Sequence, residues 1–212
     1  WKIQLNCGAA MSAPGPQAGQ SIGAFCPSRD QDSQNVTLDI EHELDGGTLK
    51  LVSAFQEYQY FHGFNGADQG SSNLFRAIRQ EQYDGFAQEV RFTSNENDNY
   101  DYIVGAYYED SSLARQQTSH FNLPGGPFLT EEEPWTQDTN TIALFGQMRW
   151  FINDSVTALI GGRWSTEDKD FGFERFHREY QQETLLPLPS DITLRQESRS
   201  ESKFTPSFTL QY

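Results

Sequence analysis

With 212 residues, a formal net charge of −15 and a pI near 4.5, the chain can bury a core as one domain and is too acidic for a nucleic-acid partner, because phosphate binding needs a basic surface. Hydrophobic residues make up 36% and mean hydropathy is −0.69, and no run approaches the roughly 20 apolar residues that a spanning helix needs. Aromatics still reach 14%, which disorder would deplete and an alternating, half-polar β-barrel would supply.

Residues 2–6 read as the end of a strand, and 7–34 as a polar loop rich in Gly, Ala, Pro and Ser. That loop holds the two cysteines of the chain, Cys7 and Cys26. With no further Cys to complete a metal site, a disulfide between them is expected, in an oxidising compartment. Residues 35–44 alternate, Val36, Leu38 and Ile40 against Thr37, Asp39 and Glu41, and Asp45-Gly46-Gly47 signals a tight turn. Residues 48–61 return with Leu49, Leu51 and Phe55 on one face, a pattern that Val52 and Ser53 spoil.

A second long loop is expected over 62–83, a strand over 85–94, a short polar turn over 95–99 and an aromatic-rich strand over 100–111. A third loop covers 113–140. Residues 141–170 then carry the longest alternation, with Ile142, Leu144, Gly146, Met148, Trp150 and Ile152 matched by Val156, Ala158, Ile160, Gly162 and Trp164. To keep even positions on one face, Ile152 should oppose Val156 across a three-residue turn, Asn153-Asp154-Ser155. That register sets Phe145 against Arg163 and Gly146 against Gly162, a thin spot for Leu144, Trp164 or Met148 to cover. A fourth loop is expected over 171–200, and 203–212 close the chain with Phe204, Pro206, Phe208, Leu210 and Tyr212 on one face.

Connections therefore alternate long and short along the chain. All short turns fall at one end of an up-and-down antiparallel sheet and all long loops at the other, as in a transmembrane β-barrel with short periplasmic turns and long extracellular loops. Trp150 near a short turn, and Trp164, Tyr107 and Tyr108 near long-loop ends, suit the two membrane interfaces. Lys50, Glu89, Arg91, Arg149 and Arg163 should line the opposite, lumen face. Strand begins at Trp1 and runs to Tyr212, so residues 1–212 are expected to be a piece of a larger barrel, about eight strands of it.

Five segments, in order, resemble the barrel of TonB-dependent outer-membrane receptors: Phe86-Ala87-Gln88-Glu89-Val90-Arg91; the stretch from Asp101 to Tyr108, DYIVGAYY; Ala143-Leu144-Phe145-Gly146-Gln147; Gly162 to Phe171, GRWSTEDKDF; and Thr205-Pro206 with Leu210 and Tyr212. With the similar strand pair from Asn35 to Phe55, the resemblance covers residues 35–212. It implies a Gram-negative outer-membrane receptor that imports a scarce nutrient, most often a ferric siderophore or similar metal chelate, by loop and lumen binding followed by energised gating. It also implies partners: outer-membrane lipid and lipopolysaccharide, and the TonB inner-membrane complex. That complex would be reached through an N-terminal part, with plug and TonB box, that the sequence lacks. Neither a cofactor nor covalent chemistry is expected. A passive porin or structural barrel, and a secreted β-sheet module for glycans, are the alternatives.

No nucleophile elbow or phosphate loop occurs, and His42, His62, His120 and His177 lack zinc-ligand spacing. Candidate ligand contacts are the arginines and aromatics of two loops: Phe64, Phe75, Arg76, Arg79 and Tyr83, then Phe173, Arg175, Phe176, His177, Arg178 and Tyr180. Guanidinium beside aromatic rings suits an anionic, partly apolar ligand. Glu131-Glu132-Glu133 with Asp138 reads as a solvated acidic loop rather than a cation site.

Overall fold

Alternating sequence makes two-faced strands, and pairing them in register turns one-residue faces into continuous surfaces. The computed structural model describes residues 3–4, 28–65, 75–122, 128–179 and 194–212; Cys7 and Cys26 lie outside these. Its strands are β1 (Ile3–Gln4), β2 (Ser28–Leu44), β3 (Gly47–Asn65), β4 (Phe75–Ser94), β5 (Tyr100–Asn122), β6 (Phe128–Asn153), β7 (Val156–Phe173), β8 (Phe176–Glu179) and β9 (Arg195–Gln211). All neighbouring pairs are antiparallel, in the order β1-β2-β3-β4-β5-β6-β7-β9, with β8 on β6. The up-and-down architecture is as expected, and the sheet is open, since β1 and β9 do not pair.

One register row joins Ile40, Leu51, Val90, Ala106, Leu144, Trp164 and Phe204 from β2 to β9. Rows on either side add Phe55, Phe86, Val104, Ile142, Ile160 and Phe208, and all six are at least one-third exposed. Exposed apolar side chains in adjacent rows form a belt, the feature expected of a transmembrane barrel's outer face. The belt slants. Val36 and Phe86 share a row with Asp168 and Ser200, whereas Tyr100 and Trp150 share one with Leu210. Strand tilt in a barrel produces this slope. Trp150, Trp164 and Tyr108 face outward at its edges, as interface aromatics do; Tyr107, placed with them from sequence, points to the other face beneath Arg163.

Ser53, which spoiled the β3 pattern, does lie on the belt. Its hydroxyl donates to Gln88 Oε1 at 2.7 Å, and Gln88 Nε2 donates to the Val52 carbonyl at 3.0 Å, so the polar atoms are satisfied without water.

The strands run well past the expected boundaries. Most of residues 62–83 and 113–140, and 171–173, 176–179 and 195–200 of the fourth stretch, all read from sequence as loops, belong to β3 to β9. A spanning strand needs only about 9–11 residues, and β6 has 26. Above the belt the outward residues meet water and become polar, so hydrophobic alternation stops while the ladder continues. Between β7 and β8 the ladder breaks at Pro134, which has no N–H to give; Glu174 N bonds the Pro134 carbonyl at 3.0 Å and β8 resumes the register of β7.

In the β6–β7 hairpin, Phe145 opposes Arg163 and Gly146 opposes Gly162, as expected. The turn is not as expected. Asn153, not Ile152, pairs Val156, leaving Asp154-Ser155 as a two-residue turn, and Ile152 is the extra residue of a β-bulge. The bulge restores the even positions to one face, the task assigned from sequence to a longer turn. Asn153 Oδ1 accepts from Ser155 N at 3.0 Å and closes the turn. Deleting Ile152 should therefore leave a flat hairpin in the same pairing, changing stability by about 1 kcal/mol or less. Loss of heat-modifiable migration in that variant would show that the bulge is required. The cover of the glycine pair also differs: a Cβ on Gly162 would meet the Phe204 ring at 2.8 Å and one on Gly146 would meet Val104 at 3.4 Å, so neighbouring strands shield the spot.

Candidate functional site on the inner face

On the face opposite the belt and beyond its height, three register rows place arginine and aromatic side chains together. The first runs Arg29, His62, Arg79, Gln117 and Glu133; the second Tyr60, Glu81, Arg115, Trp135 and Phe173; the third Tyr58, Tyr83, Leu113, Gln137 and Phe171. Odd positions on β2, β4, β5, β6 and β7 meet even positions on β3, so residues far apart in sequence share one wall.

Rings and cations interlock there. Arg29 lies over Tyr60 at 5.2 Å and Arg115 over Trp135 at 5.6 Å, while Tyr58 stacks on Tyr83 at 5.3 Å and Trp135 meets Phe171 at 6.0 Å. Arg79 donates to Gln117 at 3.0 Å, Gln117 to Glu133 at 3.4 Å, and Arg175 Nε to Glu133 at 2.7 Å with its other end over Phe173. His177 Nε2 and Glu131 Oε2 are 2.7 Å apart. Glu131 and Glu133 thus face inward on paired bases and Glu132 faces outward, which splits the acidic run. Among the described residues no group of three or more acidic, His or Cys side chains could hold a metal ion.

Arg115 meets Glu81 only at 3.5 Å. The Nε atoms of Arg79 and Arg115 are buried without a hydrogen-bond acceptor among the described residues. Buried donors are normally paired, and the nearest carboxylate to Arg115 Nε is that of Glu81. Burial, then the guanidinium groups of Arg79 and Arg29, push the His62 imidazole below its ordinary 6.5. Burial and Arg76 likewise lower His120, whose Nδ1 lies 3.0 Å from Thr130 Oγ1 on the outer face.

Of the residues singled out from sequence, Phe75, Arg79, Tyr83, Phe173, Arg175 and His177 come to the inner face. Arg76 and Phe176 lie at outward register positions. Phe64 and Arg178 are placed on β3 and β8 by backbone, and Tyr180 lies outside the described residues. Sequence reasoning missed Arg29, Tyr58, Tyr60, Arg115, Trp135 and Phe171. Extending period-two alternation through polar sequence, as in Tyr58, Tyr60, His62 or Glu131, Glu133, Trp135, would have found most of them.

An up-and-down sheet with an exposed apolar belt on one face, arginines and aromatic rings on the other and strands longer than the belt has the pattern of a barrel wall. The sequence profile of the TonB dependent receptor-like, beta-barrel family matches residues 11–212. The chain belongs to this family. TonB-dependent receptors are transporters of the Gram-negative outer membrane that work with TonB and a ligand. No curated protein sequence matches the chain. Among solved structures, the ferric yersiniabactin uptake receptor FyuA from Yersinia pestis is similar with a TM-score of 0.67 and 16% identity, over 88% of this chain and 26% of that one. At that identity the likeness is one of fold, and the chain spans about a quarter of that receptor. In a TonB-dependent receptor barrel, the belt would be its outer surface and the Arg79–Arg115–Trp135 wall would look into the lumen near its outer mouth.

Proposed function

We propose that the chain is part of an outer-membrane receptor that imports a scarce nutrient through TonB-energised gating, with an anionic, partly aromatic metal chelate of the ferric-siderophore type as the ligand class. The observation that carries this reading is the pair of buried guanidinium Nε–H groups on Arg79 and Arg115, without a hydrogen-bond acceptor among the described residues, on a wall that also carries Tyr58, Tyr60, Tyr83 and Trp135. An anionic ligand would give both Nε–H groups a charged acceptor, which a neutral glycan lacks, and a passive pore has no use for them. That the structurally similar receptor takes up a ferric chelate is consistent with this class. Trp135 provides the readout: adding a ferric triscatecholate to the full-length receptor should quench its fluorescence saturably, and a neutral oligosaccharide of equal size should not. Quenching by the sugar alone would transfer the reading to glycan uptake.

The same site should respond to pH. His62 is neutral at pH 7, and because its value is lowered it gains a proton only below about 6.5, adding a third positive charge beside Arg29 and Arg79. Anion affinity should rise as the pH falls below 6.5, and His62→Gln should flatten the rise. Stability runs the other way, since the unfolded chain takes the proton more readily and folding weakens as the pH falls through that window. A slope retained in His62→Gln would assign it elsewhere.

A further inference from the structure

Every lysine and arginine on β2 to β9 lies at an inward register position except Arg76 and Arg178, both farther out along the strands, while Glu57, Asp84, Asp110, Asp138, Asp168 and Asp170 all face outward just above the apolar belt. Five of those six acids are exposed. Phosphate groups are drawn most strongly to guanidinium and ammonium donors, and the outward face instead offers carboxylates just above the apolar belt. A phosphorylated lipid is repelled there.

Immediately above the acids, a groove of about 560 Å³ crosses the outer face from β2 to β6. Its walls are two outward register rows, one carrying Asp30, Gln80 and Gln116 and the next Asp32, Gln59 and Gln82, and between them its floor is the inward row of Glu81 and Arg115. The four glutamines are exposed. Each primary amide offers two donors and an acceptor, the match for vicinal sugar hydroxyls, and it carries no charge. Gln82 stands four residues beyond Phe86, on the order of 13 Å along the strand at about 3.4 Å per residue, less once the strand is tilted. That is the level of the first sugars of a lipid whose acyl chains cover Phe86 and Val90.

We propose that this groove seats the uncharged leading sugars of an outer-leaflet glycolipid, the acyl chains of which lie on the belt directly below. The occupant follows from continuity with the apolar belt on the same face and from the exclusion of phosphate by the acidic rim. It rests on the outer face lying in a membrane and is independent of which ligand the inner face takes.

The test uses the full-length receptor in lipid discs holding equal amounts of phosphatidylglycerol, a neutral diglucosyl diacylglycerol and bisphosphorylated lipid A, with bound lipids counted by native mass spectrometry. The diglucosyl lipid should be retained at least five-fold over both others. A Gln59→Ala, Gln82→Ala, Gln116→Ala triple variant should fall to parity while keeping heat-modifiable migration, since all three side chains are exposed. Parity in the wild type overturns the proposal, as does preference for lipid A with or without a chelator, which would mean phosphate bridged by divalent cations. Release of the glycolipid by free diglucose at equal concentration overturns it too, because the site would then serve soluble glycans. Failure to enter discs at all would sink the membrane reading along with it, whereas discs without preference sink the groove alone.

Discussion

Gly47→Ala is expected to cost the folded barrel about 2–4 kcal/mol, read as a lowered urea midpoint or loss of the heat-modifiable band, whereas Gly46→Ala one residue earlier should stay within about 0.5 kcal/mol. The contrast is geometric. Gly47 has φ = 150°, where residues with a Cβ are strained, and a Cβ there would lie 2.2 Å from the Thr93 carbonyl oxygen and 2.8 Å from Ser94 Cα. Both are backbone atoms of β4 and cannot step aside as a side chain would. Gly46 has nothing within 4 Å of the same construction. The site matters because two turns meet there. Asn95 N donates to the Gly46 carbonyl at 3.0 Å and Asn95 Nδ2 to the Asp45 carbonyl at 2.9 Å, so moving Gly47 loosens the β2–β3 and β4–β5 turns together. Equal effects at 46 and 47 would mean that flexibility of the turn, and not the contact with Thr93, sets the requirement.

The Arg79→Ala, Arg115→Ala double variant should lose on the order of 100-fold or more in affinity for a ferric triscatecholate, as charge-assisted hydrogen bonds contribute roughly 1.5–3 kcal/mol each. Stability should change little, because the Arg115–Glu81 pair is long and partly exposed and such pairs are worth about 1 kcal/mol or less. Arg115→Lys separates charge from shape: it keeps the cation but loses the planar fork held over Trp135 at 5.6 Å, and an intermediate loss is expected. Arg76→Ala is the control. It sits three residues from Arg79 but faces outward, so affinity should be unchanged. A double variant that binds normally would remove the inner wall from ligand capture. An Arg76→Ala receptor that loses binding would move the site to the outer face.

The chain itself determined more of the wall than of the site. Period-two alternation in 35–44, 85–94, 141–170 and 203–212 marks the lipid-crossing stretches, because one face must be apolar wherever acyl chains are the solvent. It also set the β6–β7 pairing, since shifting Phe145 by one residue from Arg163 would turn the apolar residues of one strand away from lipid. The order of short and long connections placed all turns at one end. Beyond the belt that signal vanishes for a physical reason. There both faces of β5 at Ser111–Asn122 are mostly polar, with Leu113, Ala114 and Phe121 as exceptions, and such a strand reads like a loop until its neighbours supply the ladder.

Tertiary structure alone decided the rest. Whether an extra residue is absorbed by a longer turn or by a bulge at Ile152 leaves the same faces exposed, so alternation could not choose between them. Arg29, His62, Arg79, Arg115 and Trp135 come from five strands and meet only because the registers add up across the sheet, each fixed by the apolar rows lower down. The belt that holds the wall in lipid thus aligns the charged wall above it, and this alignment separates Arg79, facing inward, from Arg76, facing out.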